Sequence, residues 1–228
     1  MKFVASLAVL FAVNVAYAAP RWVTTPSPAG NGDIPVYIDE QPNAVATVVL
    51  VPGGPFTVGE RDPHSGKPKG INFLVRTVDT FAAQKLNVVL MDKPSQAGDL
   101  RWGNNRQSDA HGKDVLKVAE TAKQLNKPVW LVGTSLGAIS VAKASLLDET
   151  GLVSGMVLSS SVFHAKGGSG VMTMDYGKLS IPVLISHHQK DECPETNPQV
   201  IKDLVSKLTA SKKVEVAMIT AGDTPKGN

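Results

Sequence analysis

Several things are scarce in this sequence of 228 residues. Cys193 is the single cysteine, so no disulfide can close within the chain. No histidine follows His188. Net charge is small: 23 Lys and Arg stand against 20 Asp and Glu. The basic residues are scattered, with Lys67/Lys69 and Lys212/Lys213 the densest pairs, which argues against a nucleic-acid groove and against any strongly acidic partner. No stretch reaches the roughly 18 to 20 apolar residues that span a bilayer. Internal repeats and low-complexity tracts are also lacking, which leaves an ordinary globular composition.

What is present begins with a leader. MKFVASLAVLFAVNVAYAAP carries Lys2, an apolar run from Phe3 to Val15, and Ala16-Tyr17-Ala18 as an A-x-A cleavage site. This is the grammar of a signal peptide over residues 1–18. The mature chain, residues 19–228, is then expected to be one exported domain, periplasmic or secreted, with no membrane span after cleavage.

Along the mature chain, short β-rich runs alternate with helical patterns. Residues 34–38, 44–51 and 87–91 read as strands, and 71–84 reads as a helix. Ser108 caps a helix with Val115, Leu116, Val118, Ala119, Ala122 and Leu125 on one stripe. Residues 152–158, 181–186 and 214–220 complete the strands, with a helix over 198–209 opened by Pro198. The alternation predicts an α/β fold: a mostly parallel sheet with helices on both faces. The loop over 159–180 is long enough for a minimal lid only.

The segment PVWLVGTSLGAISVA, residues 128–142, reads as a buried strand, one sharp turn and a helix. Ser135 sits at the apex of Gly133-Thr-Ser-Leu-Gly137, the pattern of a nucleophile elbow, where small flanking residues let strand and helix pass closely. The strand over 44–51 runs into Pro52-Gly53-Gly54-Pro55-Phe56, a turn whose amides can approach a substrate oxygen. With the Leu136 amide, Gly53 or Gly54 could form an oxyanion hole, whereas Pro55 has no N–H to offer. A plain tight turn is the bland alternative. The strand over 181–186 leads to His187-His188-Gln-Lys-Asp191-Glu192-Cys193, and Asp191 follows the serine in the chain order Ser then Asp. The alternative for Asp191 is a loop cap or a surface carboxylate. The cluster of His187, His188, Asp191, Glu192 and Cys193 matches no standard zinc spacing, so no metal and no cofactor is expected.

These segments together resemble the α/β-hydrolase superfamily, most closely small exported bacterial members of unassigned substrate. The likeness rests on VVLVPGG, NFLVRTVDTFA, VVLMDKPS, RQSDAHGKD, PVWLVGTSLGAIS and IPVLISHHQKDEC, spread from Val48 to Cys193. It implies Ser135 as nucleophile, Asp191 as acid, and a catalytic histidine in the loop after the last strand. It also implies a second cysteine shortly before that histidine. Here the sequence departs from the pattern, ending in AGDTPKGN just past the strand over 214–220.

A serine hydroxyl is a poor nucleophile until a neighbouring base takes its proton, and the acid only orients that base. The expectation is therefore a hydrolase of an ester or related acyl bond in a small molecule, its C-terminal end incomplete here and its apolar sheet edge uncovered. Residues 19–228 alone are expected to be nearly inert. The rival is a non-catalytic binding protein using the same pocket, and acyl transfer to an alcohol is a third option. Among the histidines, His164 is the candidate substitute base. One of His187 and His188 should face the core, the other the site mouth. His111 reads as structural, and His64 as exposed.

Overall fold

The computed structural model describes residues 18–222, so the expected leader lies outside the described residues except for Ala18. Eight strands form one sheet in the order β1-β2-β4-β3-β5-β6-β7-β8. They are β1 (Arg21–Pro26), β2 (Asp33–Asp39), β3 (Ala46–Val51), β4 (Leu86–Met91), β5 (Val129–Thr134), β6 (Val153–Ser159), β7 (Val183–His188) and β8 (Val214–Ile219). β1 and β2 run antiparallel to their neighbours, and the remaining pairings are parallel.

The central strands are β-branched runs without polar alternation. ATVVLV in β3 and LNVVLM in β4 must be covered on both faces, as in parallel sheets. Val49, Val89, Leu131, Met156 and Ile185 point to one face, where α4 (Asp109–Lys123) and α5 (Leu136–Leu147) cover them. Ile201 and Leu204 of α6 (Ile201–Lys207) join the same core. On the opposite face, Val48, Leu50, Val88 and Leu90 pack under α1 (Phe73–Arg76) and α2 (Val78–Ala82). None of the helices among the described residues is long and apolar enough to cross a membrane.

Two local readings need correction, and two elements were missed. The helix expected over 71–84 is broken into α1 and α2 at Thr77, whose hydroxyl donates to the Phe73 carbonyl (2.8 Å) and whose ψ leaves the helical range. Such a side-chain bond competes with the helical ladder. The helix expected over 198–209 opens as a 3₁₀ turn, Pro198–Val200, and its α-helical part is only Ile201–Lys207. β1 and the single turn α3 (Gly103–Arg106) had no sequence signal. The loop expected over 159–180 is folded down, with Val162, Phe163, Val171, Met174, Tyr176 and Leu179 all in the core.

The order of the strands fixes where a site can form. From β3 the chain steps through α1 and α2 to β4 on one side, and from β5 through α5 to β6 on the other. The loops leaving β3 and β5 therefore open a crevice at the carboxyl end of the sheet, the switch point where open α/β sheets bind ligands.

Candidate active site

Ser135 stands between β5 and α5 with φ 55° and ψ −123°. Positive φ is costly for a residue with a Cβ, and such strain gathers at functional positions. The surroundings hold it there. Its amide donates to the Ser159 carbonyl (3.0 Å), extending the β5–β6 ladder, and its carbonyl accepts from Ala138 (3.0 Å) and Val162 (3.4 Å). Its hydroxyl does not cap the helix it begins.

The glycines around it have no room for a side chain. A Cβ at Gly133 would run into the Gly137 carbonyl, and one at Gly137 into the Val51 carbonyl. A Cβ at Gly53 would lie 2.7 Å from the Thr134 carbonyl oxygen and 2.9 Å from Ser135 Cβ. Gly53 is thus pressed directly against the serine. The same closeness brings the loop after β3 against the start of α5.

The first three carbonyls of that loop are held. Pro52 and Gly54 accept from the Arg106 guanidinium, Nη1 at 2.9 Å and Nη2 at 2.7 Å. The Gly53 carbonyl accepts from Asn72 Nδ2 (3.2 Å) and the Phe56 amide (3.3 Å). Among the described residues, the amides of Gly53, Gly54 and Leu136 donate no hydrogen bond, so they remain available.

Arg106, the last residue of α3, is fully buried and forms no ion pair among the described residues. Its Nε donates to the Leu100 carbonyl (2.6 Å), Nη1 also reaches Ser140 Oγ (3.3 Å), and the guanidinium lies 4.5 Å from the Phe56 ring centroid. Burial lowers its pKa to about 9, which leaves it charged at neutral pH. Desolvating a cation costs several kcal/mol, and charged hydrogen bonds contribute about 1.5–3 kcal/mol each, so its carbonyl partners offset a penalty of comparable size. Ser140 then passes to His111, whose Nε2 lies 2.8 Å from Ser140 Oγ. With Arg106 donating to that oxygen, the hydroxyl proton is left for His111 Nε2, an assignment from the network. Burial first, and Arg106 second, push the His111 pKa down to about 3.

Asp191 follows β7, so β6 lies between it and Ser135. Its Oδ1 accepts from the Cys193 amide (3.1 Å), and its Oδ2 lies 3.3 Å from His187 Nε2. That ring nitrogen also donates to the Thr196 carbonyl (2.6 Å), while Phe163 stacks on the ring at 5.5 Å. His187 is the core-facing histidine, and His188 accepts from the Lys190 amide (3.1 Å). His164 and His64 are exposed. None of the five histidines is hydrogen-bonded to Ser135 among the described residues. The structure thus brings Ser135, Leu136, Gly53 and Gly54 together and sets Asp191 two strands away, but it does not join His164 to them. Cys193 is exposed and free. Among the described residues, no three of His, Cys, Asp and Glu gather as metal ligands would.

Two hollows adjoin this crevice. One, about 490 Å³, is lined by Gly53, Pro55, Thr57, Gly70, Ile71 and Asn72. The other, about 430 Å³, runs across the sheet face over Val48, Trp130, Val132, Val157 and Leu184 and reaches Ser159, whose carbonyl receives the Ser135 amide.

No family model and no curated protein sequence matches the chain. Solved structures do. A lidless α/β serine hydrolase from Xanthomonas campestris shares 18% identity, with 89% of this chain and 85% of that one covered at a TM-score of 0.58. An α/β serine hydrolase homologue from Coxiella burnetii shares 17%, covering 90% and 89%, at 0.63. A cold-adapted esterase from an Arctic intertidal metagenomic library shares 16%, covering 89% and 84%, also at 0.63. With its mostly parallel eight-stranded sheet and flanking helices, the chain has the α/β-hydrolase fold.

Proposed function

We propose that this protein is a serine hydrolase that cleaves an ester or related acyl bond of a small molecule after export by its leader, residues 1–18. The observation that carries the proposal is the strained Ser135 backbone at a turn where Gly53 touches it and unclaimed amides stand beside it. Ser135 Oγ attacks the substrate carbonyl, and the resulting oxyanion accepts from the Leu136 amide and from Gly53 or Gly54. Collapse releases the alcohol and leaves an acyl-serine that water then hydrolyses.

The chemistry needs a base between Ser135 and Asp191. With one strand between them, their strands are roughly 10 Å apart, twice the interstrand spacing, which leaves room for an imidazole bonded on both sides. The five histidines of the sequence are exposed or bound elsewhere, so residues 19–228 alone are expected to turn over p-nitrophenyl butyrate barely above background. Added imidazole should raise that rate, and Ser135→Ala should remove the increase. If imidazole has no effect that depends on Ser135, the hydrolase assignment fails.

A second reading, a non-catalytic binder using the same crevice, is favoured by the lack of a hydrogen-bonded base at Ser135 among the described residues. It predicts saturable binding of small esters, unchanged in Ser135→Ala, with no Ser135 adduct under any condition.

A further inference from the structure

Arg106 is a buried cation that no described carboxylate neutralises, and its Nε, Nη1 and Nη2 donate to main-chain carbonyls of two loops. Leu100 ties it to its own loop, while Pro52 and Gly54 belong to a loop 54 and 52 residues earlier in sequence. A peptide unit is planar and trans, so holding the Pro52 carbonyl towards the guanidinium turns the Gly53 N–H to the opposite side. Gly53 is also the residue in contact with Ser135. The Gly54 carbonyl belongs to the peptide bond with Pro55, which has no N–H, so gripping it costs the loop no donor. Asn72 fixes the Gly53 carbonyl, which sets the Gly54 peptide plane independently of Arg106.

We propose that Arg106 is the positioning residue of the oxyanion hole: its guanidinium fork orients the Pro52–Gly53 peptide so that the Gly53 amide serves as the second donor beside Leu136. The proposal rests on Ser135 being the nucleophile. It does not make Arg106 a catalytic residue, because the side chain is buried behind the loop and acts through the Gly53 amide. It also selects Gly53 over Gly54. A neutral side chain of similar length would fill the space without fixing the peptide plane. Lysine would keep the charge but could not span both carbonyls with one planar group.

The test uses the mature chain and its Arg106→Met, Arg106→Lys and Ser135→Ala variants, with an alkyl fluorophosphonate as probe and imidazole present. Attack by Ser135 Oγ on phosphorus forms the P–O bond and expels fluoride, and imidazole takes the hydroxyl proton. Saturation of the labelling rate separates probe affinity from the maximal rate. A misplaced oxyanion donor should lower the maximal rate at least tenfold in Arg106→Met, with probe affinity within twofold of wild type. Arg106→Lys should fall between the two, and it carries the test if the methionine variant does not fold. In parallel, hydrogen exchange of the Phe56 amide, which closes the turn onto Gly53, should accelerate while the Val36 and Val89 amides of the sheet do not.

Unchanged maximal labelling with unchanged Phe56 exchange overturns the proposal. So does acceleration at Phe56, Val36 and Val89 alike, with affinity and rate lost together, because that marks general loosening. If wild type forms no adduct that Ser135→Ala abolishes, the nucleophile assignment is what fails. Phe56 exchange then decides alone whether Arg106 orients the loop: selective acceleration upholds it, and no change overturns it.

Discussion

Under α4 and α5, Val49, Leu131, Met156 and Ile185 are wholly buried, while on the opposite face of the same strands Trp130, Val157 and Leu184 are only partly covered and line an open groove. From β3 to β7 the first face is a finished core. The second is finished only over β3 and β4, where α1 and α2 lie, and at the edge strand β8 both faces are exposed, Val216 and Met218 on the side of Ile185 and Ile219 on the side of Leu184. The candidate site lies where the two meet: Ser135 begins α5 on the closed side, and Ser159 beside it borders the groove. Rigid support behind the serine and open access in front of it follow from that asymmetry. The closed face should accordingly be unforgiving, and the open one tolerant.

The strongest way to break this comparison is a methyl group on the closed side. Gly137→Ala places a Cβ against the Val51 carbonyl, backbone on backbone, and is expected to cost roughly 3 kcal/mol or more, enough to deplete soluble protein. Urea unfolding of Gly137→Ala beside Val157→Ser measures both faces. A glycine variant as stable as the serine variant would end the distinction.

Next in size is the response to acid. His111 has a folded pKa of about 3 against 6.5 for the free residue, so between those values the unfolded chain binds more protons and stability falls as pH drops. The loss should be a few kcal/mol, beginning below pH 6.5 and complete near pH 3. His111→Gln removes this titration, so its unfolding free energy should vary less with pH across that window. Parallel curves for the two proteins would mean that the buried ring is not what acid acts on.

On the open face, Trp130 lies with its ring against Gly155 yet remains partly solvated. Trp130→Ala should cost about 1–2 kcal/mol, less than for a fully buried tryptophan. The same groove should enhance the fluorescence of anilinonaphthalene sulfonate bound to the native state, and Trp130→Ala should change that signal. Smallest of all, Lys213→Ala removes an exposed ion pair to Glu215 at the start of β8 and should leave the urea midpoint unmoved.

Much of the frame was legible because it depends on short-range pattern. The β-branched runs of β3 and β4 and the glycines flanking Ser135 carry their geometry in adjacent residues. Ser108 was equally readable, and its hydroxyl does accept from the His111 amide (3.2 Å). α1 and α2 defeated the pattern because a continuous apolar stripe does not register the Thr77 side-chain bond that interrupts it. β1 has only one buried residue and ends in Pro26, so an edge strand passed for loop. In the candidate site, Ser135, Gly53 and Asp191 stood out through local motifs. Arg106 opens the segment RQSDAHGKD, but nothing in it marks a role at the site, because its partners at Pro52 and Gly54 are brought to it only by folding. Strand alternation left open which of His187 and His188 faces the core, and the stacking of His187 on Phe163 follows only once β7 is placed beside β6.

Cys193 gives the molecule a built-in reporter. Its thiol is solvent-exposed, and its backbone amide holds Asp191 Oδ1. A maleimide dye can therefore be attached at one defined spot in the wild-type chain, with no cysteine to remove elsewhere. Tethered two residues from the candidate acid, the dye would register the arrival of an occupant in the crevice optically, even for an occupant that never reacts.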